Sequence, residues 1–444
     1  MADTATATRT IPFLTRLTRH RVPVHALEAA GAEAGGRVVR LNMGPFRPYL
    51  VTHPDHVERV LTTNQANYLR EGMFWDPLAP LLGKGILSDG ENWAESRRIL
   101  QPLFTARHVN AMAENMARIM DELIDTTIVP GQPFDVAKGM SAIVHPVIVR
   151  LFFGAKISLE DINRLVPAYD VAVTAKALRL VLPFVPEQVP MPGDRAFRQA
   201  IKAIDEVVYP RIAEARAQRQ EGDDVVSRLV RARTQDGGAD VDRRIRDDLV
   251  AMHGASTETS TTALSWVWPV LQAHPEIAAK VYDEVDRVVG DDPVGIGHLP
   301  RMPYLKMFVS ELMRLYPSGW ILPRTAIATD VIGGVTVEAG STVILSPYLT
   351  HRLAEFWDRP TTFDPERFAP DGAAPRHRYA YWPFAAGPHV CLGQHLFAME
   401  APLLIAGILR RYRPHVHLDR PPVPRLASSL RPPRGLTMTL EARR

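Results

Sequence analysis

The chain has 444 residues, with 52 Lys and Arg against 49 Asp and Glu, a net charge of +3, and 46% hydrophobic and 23% charged residues. This is ordinary globular usage and excludes a disordered chain, a collagen-like chain and a coiled-coil rod; so weak a charge over this length implies no nucleic-acid partner. The lone cysteine, Cys391, rules out an internal disulfide or any multi-cysteine metal site, and leaves an inert thiol, a nucleophile, or a single thiolate ligand to a cofactor that brings its own remaining ligands.

The first twenty residues lack the continuous apolar core and the cleavage site of a signal peptide. No stretch reaches the ~18 consecutive apolar residues of a membrane span. The most apolar one, Ile143 to Phe153, is interrupted by His145, Pro146 and Arg150. A cytoplasmic protein without a membrane anchor is expected. With no linker and no repeat, a single domain over 1–444 is expected as well.

In chain order, Val38 to Met43 and Tyr49 to Thr52 flank Gly44–Pro45 and predict a hairpin. Tyr68 to Asn92, with Phe74, Trp75, Pro77, Pro80 and Gly83, reads as irregular. Apolar spacing predicts helices over His108–Thr127, Phe197–Arg219, Arg244–Ala273, Pro275–Val289, Tyr304–Leu315 and Gly393–Arg411. Four prolines punctuate Leu182 to Gly193. Val331 to Val337 is a hairpin over Gly333–Gly334, and Thr342 to Leu345 is a further strand. Thr361 to Gly393 has little periodicity and contains the cysteine. The fold class is mainly α with a small β portion.

Around the cysteine the chain reads Phe384-Ala385-Ala386-Gly387-Pro388-His389-Val390-Cys391-Leu392-Gly393, and a helical pattern follows at once. A cysteine at a helix entrance is placed where backbone N–H groups favour a thiolate. Flanking glycines let a flat ligand approach the backbone, and Phe384 could shield the sulfur. These are the requirements of a thiolate axial ligand to haem iron. The segment resembles the haem-binding signature of the cytochrome P450 family, F-x-x-G-x-[RH]-x-C-x-G, at every fixed position.

Other segments extend the resemblance in the family's order. Trp93 and Arg97 match W-x-x-x-R, whose members donate to a haem propionate. Arg324 falls where the family places another propionate arginine, and His389 is the expected partner beside the cysteine. Ser96 stands where many relatives carry a basic residue. Ala255-Ser256-Thr257-Glu258-Thr259 resembles the oxygen-activating segment [AG]-G-x-[DE]-T, with Ser256 in place of the usual glycine; Glu258 and Thr259 are then the acid and alcohol that deliver protons. Its Ser/Thr run predicts a locally distorted helix, because hydroxyls bond back to carbonyls. Glu311 and Arg314 sit at i and i+3 between apolar flanks, and with Arg367 they resemble the family's buried Glu–Arg–Arg scaffold.

The resemblance implies a fold with a long helix over the haem and the cysteine loop beneath it, haem b (iron protoporphyrin IX) on the Cys391 thiolate, and insertion of one atom of O2 into a mostly apolar small molecule. Ala251, Gly254, Ala255 and Thr259 would face the haem from the long helix. Phe74, Trp75, Leu78 and Leu82 would form a roof, and Gly319, Trp320, Ile321 and Leu322 a side wall, giving a neutral, hydrocarbon-like substrate. His253 falls off that face. No flavin or iron–sulfur motif is present, so electrons are expected from a separate ferredoxin or flavodoxin with its reductase. Arg97, Arg98, Arg107, Arg376, Arg378 and His395 are the candidate basic contacts for it. Natural-product tailoring of a terpenoid or polyketide is the expected role, with hydroxylation of steroids or fatty acids as the alternative. A peroxide-driven relative is disfavoured by the intact Glu258–Thr259 pair, and a non-catalytic haem-binding protein by Cys391 itself.

Overall fold

The computed structural model describes residues 8–154, 157–176, 179, 185, 188–217, 224–236, 240–370 and 376–443. Residues 182–184 and 186–187 of the Leu182–Gly193 segment lie outside the described residues. The chain packs as two compact units, one made of residues 1–69, 121–140 and 259–444, the other of 70–120 and 141–258.

The first unit holds a six-stranded sheet in the order Thr10–Ile11, Val39–Leu41, Tyr49–Val51, Thr342–Leu345, Leu322–Ala326, Tyr68–Leu69. The predicted hairpin is present, Val39 pairing with Leu50 and Arg40 with Tyr49, with Gly44 at φ +80° in its turn. Tyr49–Val51 then runs parallel to Thr342–Leu345, so segments far apart in the chain meet in one sheet. Side chains alternate across strands, and the two cores follow that period. Tyr49, Val51, Val343 and Leu345 face Val57, Leu61, Tyr379 and Trp382. Leu50 and Ile344 face Ala26, Leu27, Tyr348 and Leu349. The Asp330–Ile332 and Val335–Val337 hairpin turns over Gly333 and Gly334, both at positive φ, as its Gly-Gly sequence predicts.

The predicted helices are all present, as Ala106–Thr127, Asp194–Ala217, Val241–Ala273, Pro275–Val288, Pro303–Leu315 and Gln394–Leu409. The helices Phe13–His20, Pro23–Ala34, Gly90–Leu100, Val136–Phe153, Leu159–Ala175 and Val225–Asp236 are present as well, beyond those predicted. Val136–Phe153 continues through Pro146, the residue read as an interruption. Burial of nearly every apolar side chain from Met140 to Phe153 offsets the ~3 kcal/mol cost of an internal proline. That helix and the stretch Gly387–Leu409 have the length and composition of membrane spans, but both are mostly buried in the protein, as core helices are. Tyr68–Asn92 is built of short pieces, the strand Tyr68–Leu69 and the turns Asp76–Leu78 and Ala79–Leu82, before the helix Gly90–Leu100 begins.

Candidate functional site

In the first unit, Cys391 is exposed and lies three residues before the first residue of the helix Gln394–Leu409. The loop before it is wound tightly. Cys391 N–H donates to the Phe384 carbonyl at 2.9 Å, and Val390 N–H to that of Gly387 at 3.1 Å. Ala385 and Gly387 both have positive φ, +59° and +68°. A Cβ on Gly387 would lie 1.9 Å from the Leu61 carbonyl oxygen, so only glycine fits there. At Gly393 a Cβ would stand 3.8 Å from the Cys391 sulfur, and the missing side chain leaves that side of the sulfur open. Phe384 packs on Phe397 with ring centres 5.9 Å apart, and His389 meets Gln65 at 3.2 Å.

The loop is held by a buried polar chain. Glu311 and Arg314 are fully buried and pair through two hydrogen bonds of 2.7 and 2.8 Å. The remaining guanidinium protons reach the carbonyls of His351, Pro360 and Thr362, so no charge is left uncompensated. Arg367 approaches Glu311 at 3.5 Å, and Asp364 N–H donates to the same carboxylate. The three ionic residues are thus together, as the family resemblance implied. His351 was not legible in the sequence. Its Nδ1–H donates to the Arg314 carbonyl, and its Nε2 accepts from Trp382 N–H, each at 3.0 Å. Burial pushes its pKa down to about 3, which keeps the ring neutral and able to serve both partners. Trp382 lies two residues before Phe384, so His351 joins the ion pair to the cysteine loop.

The long helix Val241–Ala273 carries the acid and alcohol. Residues 245–254 are buried, and so are 262–271, whereas Ala255 and Thr259, one turn apart on one face, are exposed. That face is open. Ser256 is half-buried, its hydroxyl donating to the Met252 carbonyl at 2.7 Å; Thr257 and Ser265 bond back to His253 and Thr261 in the same way. The predicted back-bonding is therefore present within an unbroken helix. Ser318 donates to the Thr259 carbonyl at 2.8 Å, and Ser260 to Glu400 at 2.7 Å. Glu400 is buried, and burial pushes its pKa up to about 7. Nothing in its local sequence marks it out. Ala251 is fully buried and Gly254 presses on the Tyr169 ring, so neither shares the exposure of Ala255. His253 lies between His145 and Tyr169, with ring centres 6.0 and 5.2 Å away.

In the second unit, Trp93 and Arg97 are half-buried, one turn apart on the helix Gly90–Leu100. Ser96, between them, is buried and donates to Asp248 at 3.0 Å. It belongs to an internal network instead of facing an anion. In the first unit Arg324 is buried, a cation suited to a carboxylate. At Gly319 the place of a side chain is open space; the Trp320 indole donates to the Ala427 carbonyl, and Ile321 and Leu322 are half-buried. Phe74, Trp75, Leu78 and Leu82 are half-buried in the second unit. Arg376 is engaged internally, stacked 4.4 Å from the Trp357 ring and donating to the Arg367 carbonyl, while Arg378 and His395 are exposed.

Haem fits the donor set by its chemistry. In the first unit an exposed thiol stands at a helix entrance with a glycine beside its sulfur, and Arg324 is a buried cation of the kind that pairs with a carboxylate.

The family model described as Cytochrome P450 matches residues 14–440. The cyclooctat-9-en-7-ol 5-monooxygenase of Streptomyces melanosporofaciens is 31% identical, over 92% of this chain and 89% of its own. The cyclooctatin synthase of the same organism is 31% identical over 86% and 84%, and the pentalenene oxygenase of Streptomyces avermitilis 27% over 95% and 94%. Among solved structures, the cytochrome P450DA heme domain superposes with a TM-score of 0.84 at 23% identity, covering 95% of this chain and 93% of that one.

Proposed function

Because the chain belongs to the cytochrome P450 family, we propose that it inserts one atom of O2 into a cyclic terpenoid hydrocarbon as a natural-product tailoring step in the bacterial cytoplasm. The family's cofactor is haem b on a cysteine thiolate, its class of activity is monooxygenation, and its members draw on O2 and an electron donor. With one cysteine in the chain, the thiolate is Cys391. The observation that carries the substrate reading is the exposure of Ala255 and Thr259, small and uncharged, on a helix buried over 245–254 and 262–271. Such a wall suits a bulky neutral ligand, and relatives named for pentalenene and cyclooctatin chemistry act on compounds of that kind.

Bound haem supplies activation of O2, favoured by electron donation from the thiolate. The rest is the work of this chain. Cys391 provides the thiolate, and the wound loop with its His351 tie holds that sulfur in place. Thr259 offers a hydroxyl proton on the open face, with its backbone carbonyl pinned by Ser318. Glu258, half-buried one residue earlier, exchanges protons between solvent and that region. With haem bound, Trp93, Arg97, Arg324 and His389 are the residues that would hold its propionates. The electron donor is a separate ferredoxin or flavodoxin, for which exposed Arg378 and His395 are docking candidates.

The test is a spectral titration of the holoprotein with cyclic terpene hydrocarbons, macrolactones, steroids and fatty acids. The expected result is a low-spin to high-spin shift with a cyclic terpene at micromolar concentration. A shift confined to steroids or fatty acids overturns the terpenoid reading and leaves the monooxygenase standing.

A further inference from the structure

The three consecutive residues Arg246, Asp247 and Asp248, on the first third of the long helix, each hold one backbone group of the loop 81–86. Arg246 donates to the Leu81 carbonyl at 2.6 Å. Asp247 accepts from Lys84 N–H at 3.0 Å, and Asp248 from Ile86 N–H at 2.9 Å. All three side chains are buried, at 4%, 5% and 0% exposure. Asp247 pairs with its neighbour Arg246 at 3.1 Å, and the charges of Arg246 and Asp248 are met from other elements of the same unit. Asp248 pairs with Arg233, itself 1% exposed, and accepts from Ser96. Arg233 also reaches Glu95, and Arg246 reaches Asp205 at 2.7 Å. The loop's sequence is cut to this clamp. A Cβ on Gly83, which has φ +63°, would stand 1.9 Å from the Asp247 carboxyl carbon, and one on Gly85 would stand 2.4 Å from Asp248 Oδ1. At its ends the loop is tied again, by Arg70 to Asp89 and to the Ser88 carbonyl.

We propose that Arg246, Asp247 and Asp248 are specificity-determining positioning residues that lock this loop, so that Phe74, Trp75, Leu78 and Leu82 present a preformed face to the substrate. The proposal rests on the reading of the loop as the roof of the substrate site. A hydrogen bond to an ionised group is roughly twice as strong as a neutral one, and three of them fall within six loop residues. Lifting the loop breaks all three and turns carboxylates with buried partners toward water. A roof held in this way selects by shape. It accepts a rigid polycyclic skeleton that matches it and rejects bulkier ligands that a mobile loop would accommodate.

The experiment uses holoprotein of the wild type, of Asp247→Ala, which removes the acceptor for Lys84 N–H and leaves the Arg233–Asp248 pair in place, and of Gly85→Ala, whose Cβ drives Asp248 Oδ1 away from the loop. Amide hydrogen exchange is followed in peptides covering 81–89. Spectral affinities are measured for imidazole and for a bulky azole that ligates haem iron. The expected result is exchange faster by about 10- to 100-fold in that segment alone, from the loss of one charge-assisted bond, together with a bulky-to-small affinity ratio raised about tenfold. Unchanged exchange overturns the clamp; faster exchange with an unchanged ratio overturns its role in selection. If both variants fail to fold, the wild type decides: 81–89 must be protected like the helices, and rapid exchange there overturns the proposal. Failure of imidazole to perturb the wild-type spectrum counts against the haem reading, and the clamp is still judged by the exchange data.

Discussion

At the scale of single residues, His351 and Arg314 show how a scaffold residue acts on a reactive one it does not touch. Arg314 spends its donors on Glu311 and three carbonyls, and its own carbonyl fixes His351, which fixes the cysteine loop. Arg314→Ala leaves Glu311 buried without its partner, a loss of about 3–5 kcal/mol. Purified Arg314→Ala is therefore expected to carry little haem, read from the ratio of haem to protein absorbance; normal haem content would refute the scaffold. The Glu–Arg spacing was readable because both partners lie on one helix turn. His351 and Glu400 were not, since their partners come from residues 31 and 140 positions away and leave no local pattern.

At the scale of elements, the long helix carries three jobs along its length. Its first third straps a loop, its middle carries the exposed residues Ala255 and Thr259, and its last third is core around Trp266 and Trp268. The Ser/Thr run predicted hydroxyl back-bonding, and the bonds are there, but they neither break nor interrupt the helix. Gly254 illustrates a limit of helical-wheel reasoning. Its position suggested a site-lining residue, yet a Cβ there would fall 1.4 Å from the Tyr169 hydroxyl. The glycine serves the packing of Leu159–Ala175 on the long helix. Gly254→Ala is expected to destabilise the protein by about 3 kcal/mol through overpacking, measured as a lowered urea midpoint. An unchanged midpoint would mean that Tyr169 moves freely.

At the scale of the whole molecule, burial of histidines sets the response to acid. Burial pushes His145 down to about 4 and His253 and His351 down to about 3. Below pH 6.5 these rings bind protons in the unfolded chain that the folded chain refuses, so their contribution is lost as pH falls. Glu400, pushed up to about 7, has the opposite sign between pH 7 and 4.5, because its folded carboxyl keeps a proton the unfolded one releases. Three groups outweigh one. Stability is expected to drop by about 5 kcal/mol between pH 6.5 and 4.5, seen as a falling urea midpoint; a flat or rising midpoint would contradict the burial of these rings.

The sequence by itself determined what is local: the tight turns of Gly44 and Gly333, the helical periods, the lone thiol at a helix entrance, and the ordered motifs that mark the family. These are legible because a turn, a cap or an i,i+3 pair is decided by residues within a few positions of one another. Tertiary structure alone decided which buried polar groups are shared between distant elements: His351 between the ion pair and the cysteine loop, Glu400 beneath Ser260, and Ser96 with Arg233 on Asp248. A buried charge or imidazole is tolerated only where partners converge in space, and that convergence exists only once the chain has folded.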